Sequence, residues 1–182
     1  MKRQMLLKDI LYFTNHQKIL EFLLKNPEEE FYDRQISNLT GVSRAGTNFA
    51  LRDLAKTEIV QRQKRGRMNY YRITLQIPLI KYLKILQNIV TLNPLVEKLK
   101  PLSREIILYG SSSKGENLKN SDFDLFILSN NHEQTEDILF KSSLREHLQV
   151  VTVNQNEFVK IKKKNHVFYK EISEGIILWK EK

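Results

Sequence analysis

The stretch that most constrains this chain runs from Arg104 to Ser129, R-E-I-I-L-Y-G-S-S-S-K-G-E-N-L-K-N-S-D-F-D-L-F-I-L-S. It reads as a short apolar strand, Ile106 to Tyr109, entering a Gly-Ser turn at Gly110-Ser111. A polar loop follows, then a second apolar strand that opens on Asp122 and Asp124. Strand side chains alternate faces, so both carboxylates point the same way. Neighbouring carboxylates repel and raise each other's pKa unless a cation lies between them. Mg²⁺, which takes one or two carboxylates together with substrate phosphate oxygens, resolves that repulsion. Gly110 permits close approach of the backbone, and Ser111 offers a hydroxyl and an N–H to an anion. A P-loop begins in the same way, with Gly110-x4-Gly115, but Glu116-Asn117 stand where Lys-Ser/Thr is needed.

A chain of 182 residues holds one large domain or two small ones. It has no cysteine, which excludes a disulfide framework and a thiolate zinc site and fits a reducing cytoplasm, the location expected. The basic N-terminus has its apolar run broken by Lys8 and Asp9 with no small-residue cleavage site after it, so it does not read as a signal peptide. No apolar run reaches the length of a membrane span. The net charge of +9 is uneven: residues 1–90 carry 16 Lys and Arg against 8 Asp and Glu, residues 91–182 carry 14 against 13. The first half is therefore the one expected to meet a polyanion. His16, His132, His147 and His166 are scattered, with no helical metal pair among them.

In that first half, residues 15–25 have Ile19, Leu20, Leu23 and Leu24 at helical spacing, with Asn15 as the expected N-cap. A second helix is expected from about Asp33 to a stop at Gly41, and a third after Ser43 as N-cap. On the third, Phe49, Leu51, Leu54 and Ala55 are expected to face a core, and Arg44, Thr47, Asn48 and Arg52 to face outward. A β-hairpin follows with its turn at Arg65-Gly66, carrying Arg62, Lys64, Arg65, Arg67 and Arg72; no acid occurs between Glu58 and Glu97. Helix, glycine turn, helix and basic hairpin in this order resemble a winged-helix DNA-binding domain. The resemblance implies that Arg44, Thr47, Asn48 and Arg52 meet base edges, and that Arg62, Lys64, Arg65 and Arg67 meet phosphates or the minor groove. A winged helix used to dock protein is the alternative.

Pro78 opens a further helix through Val90, too apolar for a single packing face. Pairing with a second copy through residues 78–92 and packing within the chain both account for it. Residues 94–100 read as a separate short helix, residues 148–153 as a strand, and the last segment as a helix stopped at Gly175 and an extended Ile176 to Trp179.

Gly110-Ser111, a ten-residue spacer and Asp122-Phe123-Asp124-Leu125 together resemble the signature of the polymerase-β-like nucleotidyltransferases, in particular their minimal members. The resemblance implies an α+β chain: a winged helix over residues 1–77, the linking helix over 78–92, and a nucleotidyltransferase-fold mixed sheet with flanking helices over 93–182. It implies that Asp122 and Asp124 hold Mg²⁺ as the catalytic carboxylates and that Gly110 and Ser111 contact phosphate, with Lys114 in reach of it or serving only as a solubilising loop residue. A nucleoside triphosphate, ATP foremost, is the implied donor, and a hydroxyl of a protein or small molecule the acceptor. The family also carries a third carboxylate on a later strand. Residues 148–153 contain no acid, and Glu146 and Glu157 lie outside them. Two functions follow: nucleotidyl transfer, or a DNA-binding regulator whose impaired transferase domain senses nucleotide without turnover.

Overall fold

The computed structural model describes residues 11–181, which divide between two units, one ending at Gln87 and the other beginning at Asn88. The first unit contains helix α1 (Asn15–Lys25), strand β1 (Phe31–Tyr32), α2 (Asp33–Thr40), α3 (Arg44–Lys56) and the hairpin β2 (Val60–Arg65) and β3 (Met68–Ile73). The strands form an antiparallel sheet in the order β1-β3-β2. Thr14, not Asn15, caps α1: its hydroxyl accepts from the Gln17 N–H, and the Gln17 amide oxygen accepts from the Thr14 N–H. The Ser43 hydroxyl caps α3 by accepting from the Gly46 N–H at 3.2 Å. Between Arg65 and Met68 the hairpin turns on Gly66 at φ +60°, a conformation glycine adopts without side-chain strain. Ile19, Leu23, Ile36 and Leu51 are fully enclosed, with Val60, Tyr71 and Ile73 closing the core from the hairpin.

Two expectations on α3 are corrected. Thr47 is fully buried, its hydroxyl donating to the Val42 carbonyl at 3.4 Å, and so does not face outward. Phe49 is 54% exposed, its ring beneath the Arg52 guanidinium at 5.3 Å and edge-on to His16 at 5.8 Å. The packing of α3 on α1 sets its buried face, and a polar hydroxyl is tolerated there because a carbonyl receives it.

The helices expected at 78–90 and 94–100 are one, α4 (Pro78–Leu99), with Pro94 inside it. An internal proline costs a helix about 3 kcal/mol. Here Leu92, Leu95, Val96 and Leu99, all buried around it, offset that at roughly 1.5–3 kcal/mol each. Leu79, Tyr82 and Leu86 remain exposed along another row.

The second unit is a mixed four-stranded sheet in the order β6-β5-β4-β7, comprising β4 (Ser103–Tyr109), β5 (Phe123–Ser129), β6 (Leu148–Val153) and β7 (Ile176–Lys180). Only β5 and β6 run parallel. The helices are α5 (Gly110–Ser113), α6 (His132–Phe140), α7 (Gln155–Lys164) and α8 (His166–Ser173). One sheet face carries Ile106, Leu108, Leu125 and Ile127 against the end of α4 and Leu139 of α6. The other carries Ile107, Tyr109, Phe126 and Leu128 against Phe158 and Ile161 of α7 and Phe168 and Ile172 of α8. No helix among the described residues is long and apolar enough to cross a membrane.

Candidate functional site

Strand alternation decides where the motif's acids lie. Asp124 falls on the same face of β5 as Phe126 and Leu128, the face covered by α7 and α8. Its cross-strand partner is Tyr109, the last residue of β4. The chain then turns at Gly110, φ +65°, a left-handed conformation. A methyl group added there would overlap the Asp124 carboxylate, so glycine is needed for both conformation and space.

The expected Gly-Ser turn takes the form of a single helical turn, Gly110–Ser113, closed by the Ser113 hydroxyl donating to the Gly110 carbonyl at 2.8 Å. Ser112 is fully buried, and its hydroxyl donates to the Asp122 carbonyl at 3.2 Å, which ties the turn to the start of β5. Asn88 of α4, 5% exposed, donates through one amide nitrogen to the Ser112 carbonyl at 2.8 Å and the Asn117 side-chain oxygen at 3.0 Å. The loop is therefore held from both ends. Ser111 is half-buried, and Lys114 is exposed just after the turn.

Asp122 is exposed and Asp124 half-buried. Burial, then the Glu171 carboxylate, then that of Asp122, hold the Asp124 pKa above the ordinary carboxylate range. Tyr109 is pushed up to about 12 by burial and by the charges of Asp124 and Glu171. Oxygen donors on adjoining positions and a carboxylate short of solvation, seated against the Gly110 backbone, fit a hard divalent cation that brings its own phosphate oxygens. Among the described residues, three or more acidic or histidine side chains nowhere stand close enough to hold a metal by themselves.

On β6, Gln149 stands beside Asp124 in the parallel register. Glu146 is exposed in a short 3₁₀ turn before the strand. Glu157 belongs to a helix the sequence reading did not anticipate, α7, where its carboxylate accepts from the Asn154 N–H at 2.8 Å as part of a capping box. Beside Asp122, the other carboxylate whose charge raises the Asp124 pKa is Glu171 of α8, which the sequence reading missed. The available signal was the spacing of Phe168 and Ile172 around it, which seats α8 on the sheet.

In the first unit the basic residues have unequal freedom. Arg65 is paired with Glu30 at 2.7 Å and lies over the Tyr70 ring at 5.0 Å, and Arg72 is 3.7 Å from the same Glu30. Arg44, Asn48, Arg52, Arg62, Lys64 and Arg67 are exposed. Clefts of about 910 and 360 Å³ open beside α3. Arg52 and Arg62 line both, joined in the smaller by Asn48, Phe49 and Asn69.

Residues 90–178 match the family model described as the nucleotidyltransferase domain, a segment that includes Gly110, Ser111, Asp122, Asp124 and Glu171. A crystal structure of a Sulfolobus solfataricus protein assigned as a nucleotidyltransferase matches at 15% identity, over 56% of this chain and 87% of that one, with a TM-score of 0.36. No curated protein matches the sequence. The family match supports a nucleotidyltransferase domain in the second unit.

Proposed function

We propose that the second unit binds a magnesium-chelated nucleoside triphosphate and transfers its nucleotidyl group to a hydroxyl acceptor. The observation that carries this reading is the seating of the Asp124 carboxylate against Gly110, which brings the metal-binding and phosphate-binding halves of the motif to one place. Asp122 and Asp124 hold the cation, which when bound neutralises the triphosphate and stabilises charge on the leaving group. The Gly110 and Ser111 backbone receives phosphate oxygens, and Lys114 lies on the loop beside them. Incubation with α-labelled ATP, Mg²⁺ and candidate protein or small-molecule acceptors tests the reading. Label transfer lost in Asp122→Asn supports it; binding without any transfer does not.

A second reading is favoured by one observation, Gln149 where an acid would stand beside Asp124. In it the second unit senses nucleotide, and the first unit, a winged helix, binds DNA. The N-terminal end of α3 with Arg44 and Asn48 enters the major groove, and Arg62, Lys64 and Arg67 of the hairpin meet phosphates. The exposed row Leu79, Tyr82 and Leu86 suits pairing with a second copy through residues 78–92. A change in DNA affinity on adding nucleotide separates this reading from the first.

A further inference from the structure

In the first unit a polar cleft opens where the core runs out. Along the hairpin, Val60 stands opposite Ile73, Arg62 opposite Tyr71 and Lys64 opposite Asn69. Directly opposed residues share a face of the sheet. The face that closes the core with Val60, Ile73 and Tyr71 therefore turns polar toward the hairpin tip. On α3, Asn48 and Phe49 stand one helical turn before Arg52, and all three line the side turned to that polar end. The cleft of about 360 Å³ between helix and hairpin is large enough for a small organic group, and no acid lines it.

Three features of the cleft ask for a ligand. Arg52 and Arg62 have no carboxylate partner among the described residues: Asp53 is held by His16 at 3.3 Å and Lys56 at 3.2 Å, and Glu30 by Arg65 at 2.7 Å. The Asn69 Oδ1 is enclosed and receives no hydrogen bond among the described residues, so it lacks a donor. Phe49, 54% exposed, keeps part of its ring open beside the Arg52 guanidinium. Two cations without an acid suit a phosphate. An unpaired acceptor suits an N–H, and an open ring suits another planar ring. A nucleotide carries all of these. Bases inside a duplex present their edges in the grooves and not their faces. Stacking of unpaired bases on aromatic rings in a basic groove is how single strands are held.

We propose that the cleft between α3 and the hairpin binds one unpaired nucleotide, its phosphate between Arg52 and Arg62, its base face on Phe49 and a base N–H on the Asn69 Oδ1. The inference concerns the first unit alone and is independent of the transferase reading of the second. It differs from the docking of α3 into a duplex, which would use the N-terminal end of that helix and leave the Phe49 ring without a base to stack on.

The test is fluorescence anisotropy of an end-labelled single-stranded oligonucleotide of mixed sequence, and of the same strand in a duplex, titrated with the full chain in EDTA so that no divalent cation serves the second unit. The single strand is expected to bind more tightly than the duplex. Phe49→Ala, at an exposed position that tolerates truncation, is expected to weaken single-strand binding about tenfold and to leave the salt-dependent duplex binding within about twofold. Asn69→Leu is expected to flatten the ranking of affinities among homopolymers of the four bases, which a merely structural asparagine would not do. Competition then separates the two sources of the nucleotide. Displacement of the strand by a nucleoside monophosphate assigns the cleft to a free nucleotide, and failure to displace it assigns the cleft to a nucleotide within a strand; both support the site. Tighter binding of the duplex, no binding of either probe, or single-strand affinity indifferent to Phe49→Ala overturns it. Loss of single-strand binding in the Asp122→Asn, Asp124→Asn double variant would place the strand on the second unit and overturn it as well.

Discussion

The Asp124 carboxylate fills the space that any side chain at position 110 would occupy, so Gly110 and Asp124 are fitted to each other across the ends of β4 and β5. Backbone freedom at Gly110 and the placement of a metal-binding acid are therefore one structural feature.

Gly110→Ala is expected to lower stability by about 1–2 kcal/mol from the left-handed backbone alone, and to abolish triphosphate binding by displacing Asp124. Thermal melting would register a fall of roughly 2–8 °C for a chain of this size. Repeating the substitution in an Asp124→Ala background removes the overlap, so its further effect there is smaller. Full additivity of the two would show that the residues do not touch.

Asp124→Asn is expected to abolish metal-nucleotide binding while making the free protein more stable at neutral pH. Folding raises the pKa of this carboxyl through burial and the neighbouring Glu171 and Asp122 charges. The folded state then holds the proton more tightly than the unfolded one. The contribution of this group favours folding at low pH and is lost as pH rises from the ordinary carboxylate range through the raised value. Solvent screens part of the repulsion, so the gain in melting temperature at pH 7 is small, and it vanishes at acidic pH. Equal melting temperatures of the two proteins at every pH would contradict the assignment.

Asn88→Ala removes the donor to the Ser112 carbonyl and to Asn117. Leaving a buried carbonyl unpaired costs about 1–3 kcal/mol. The expected outcome is lower triphosphate affinity and earlier local opening of residues 110–117 in hydrogen exchange, with the amides of β5 and β6 protected as before.

For the first unit, the ion pair between Arg65 and Glu30 ranks the basic residues. If the hairpin meets DNA, Arg62→Ala with Arg67→Ala reduces the slope of log affinity against log salt by about 1.8, from about 0.9 per phosphate contact. Arg65→Ala, already neutralised by Glu30, reduces it by less. An unchanged slope in the double variant would remove the hairpin from the interface.

What was legible in the sequence was local. Ser43 capping α3 and Gly66 in the hairpin turn each depend on a few adjacent residues and are found as expected, and the two strands read from the Gly110 to Asp124 stretch pair so that Asp124 lies against Gly110. Thr47 and Phe49 exchanged their expected places because the buried face of α3 is fixed by α1, which lies far away in sequence. Helix α7 was hidden by its lysines, although Asn154 and Glu157 at capping-box spacing mark its start. Pro94 suggested a break that burial of its neighbours overrides. Glu171 was out of reach for the same reason as Thr47. Its charge bears on Asp124 only because α8, near the far end of the chain, packs against Tyr109 of β4.

Calorimetric titration of the full chain with ATP and the other nucleoside triphosphates, each with Mg²⁺, tests the central claim most directly. The account predicts saturable binding of at least one of them, lost in both Asp122→Asn and Asp124→Asn while those variants remain folded. Absence of binding in the wild-type chain, or binding indifferent to both substitutions, would contradict it.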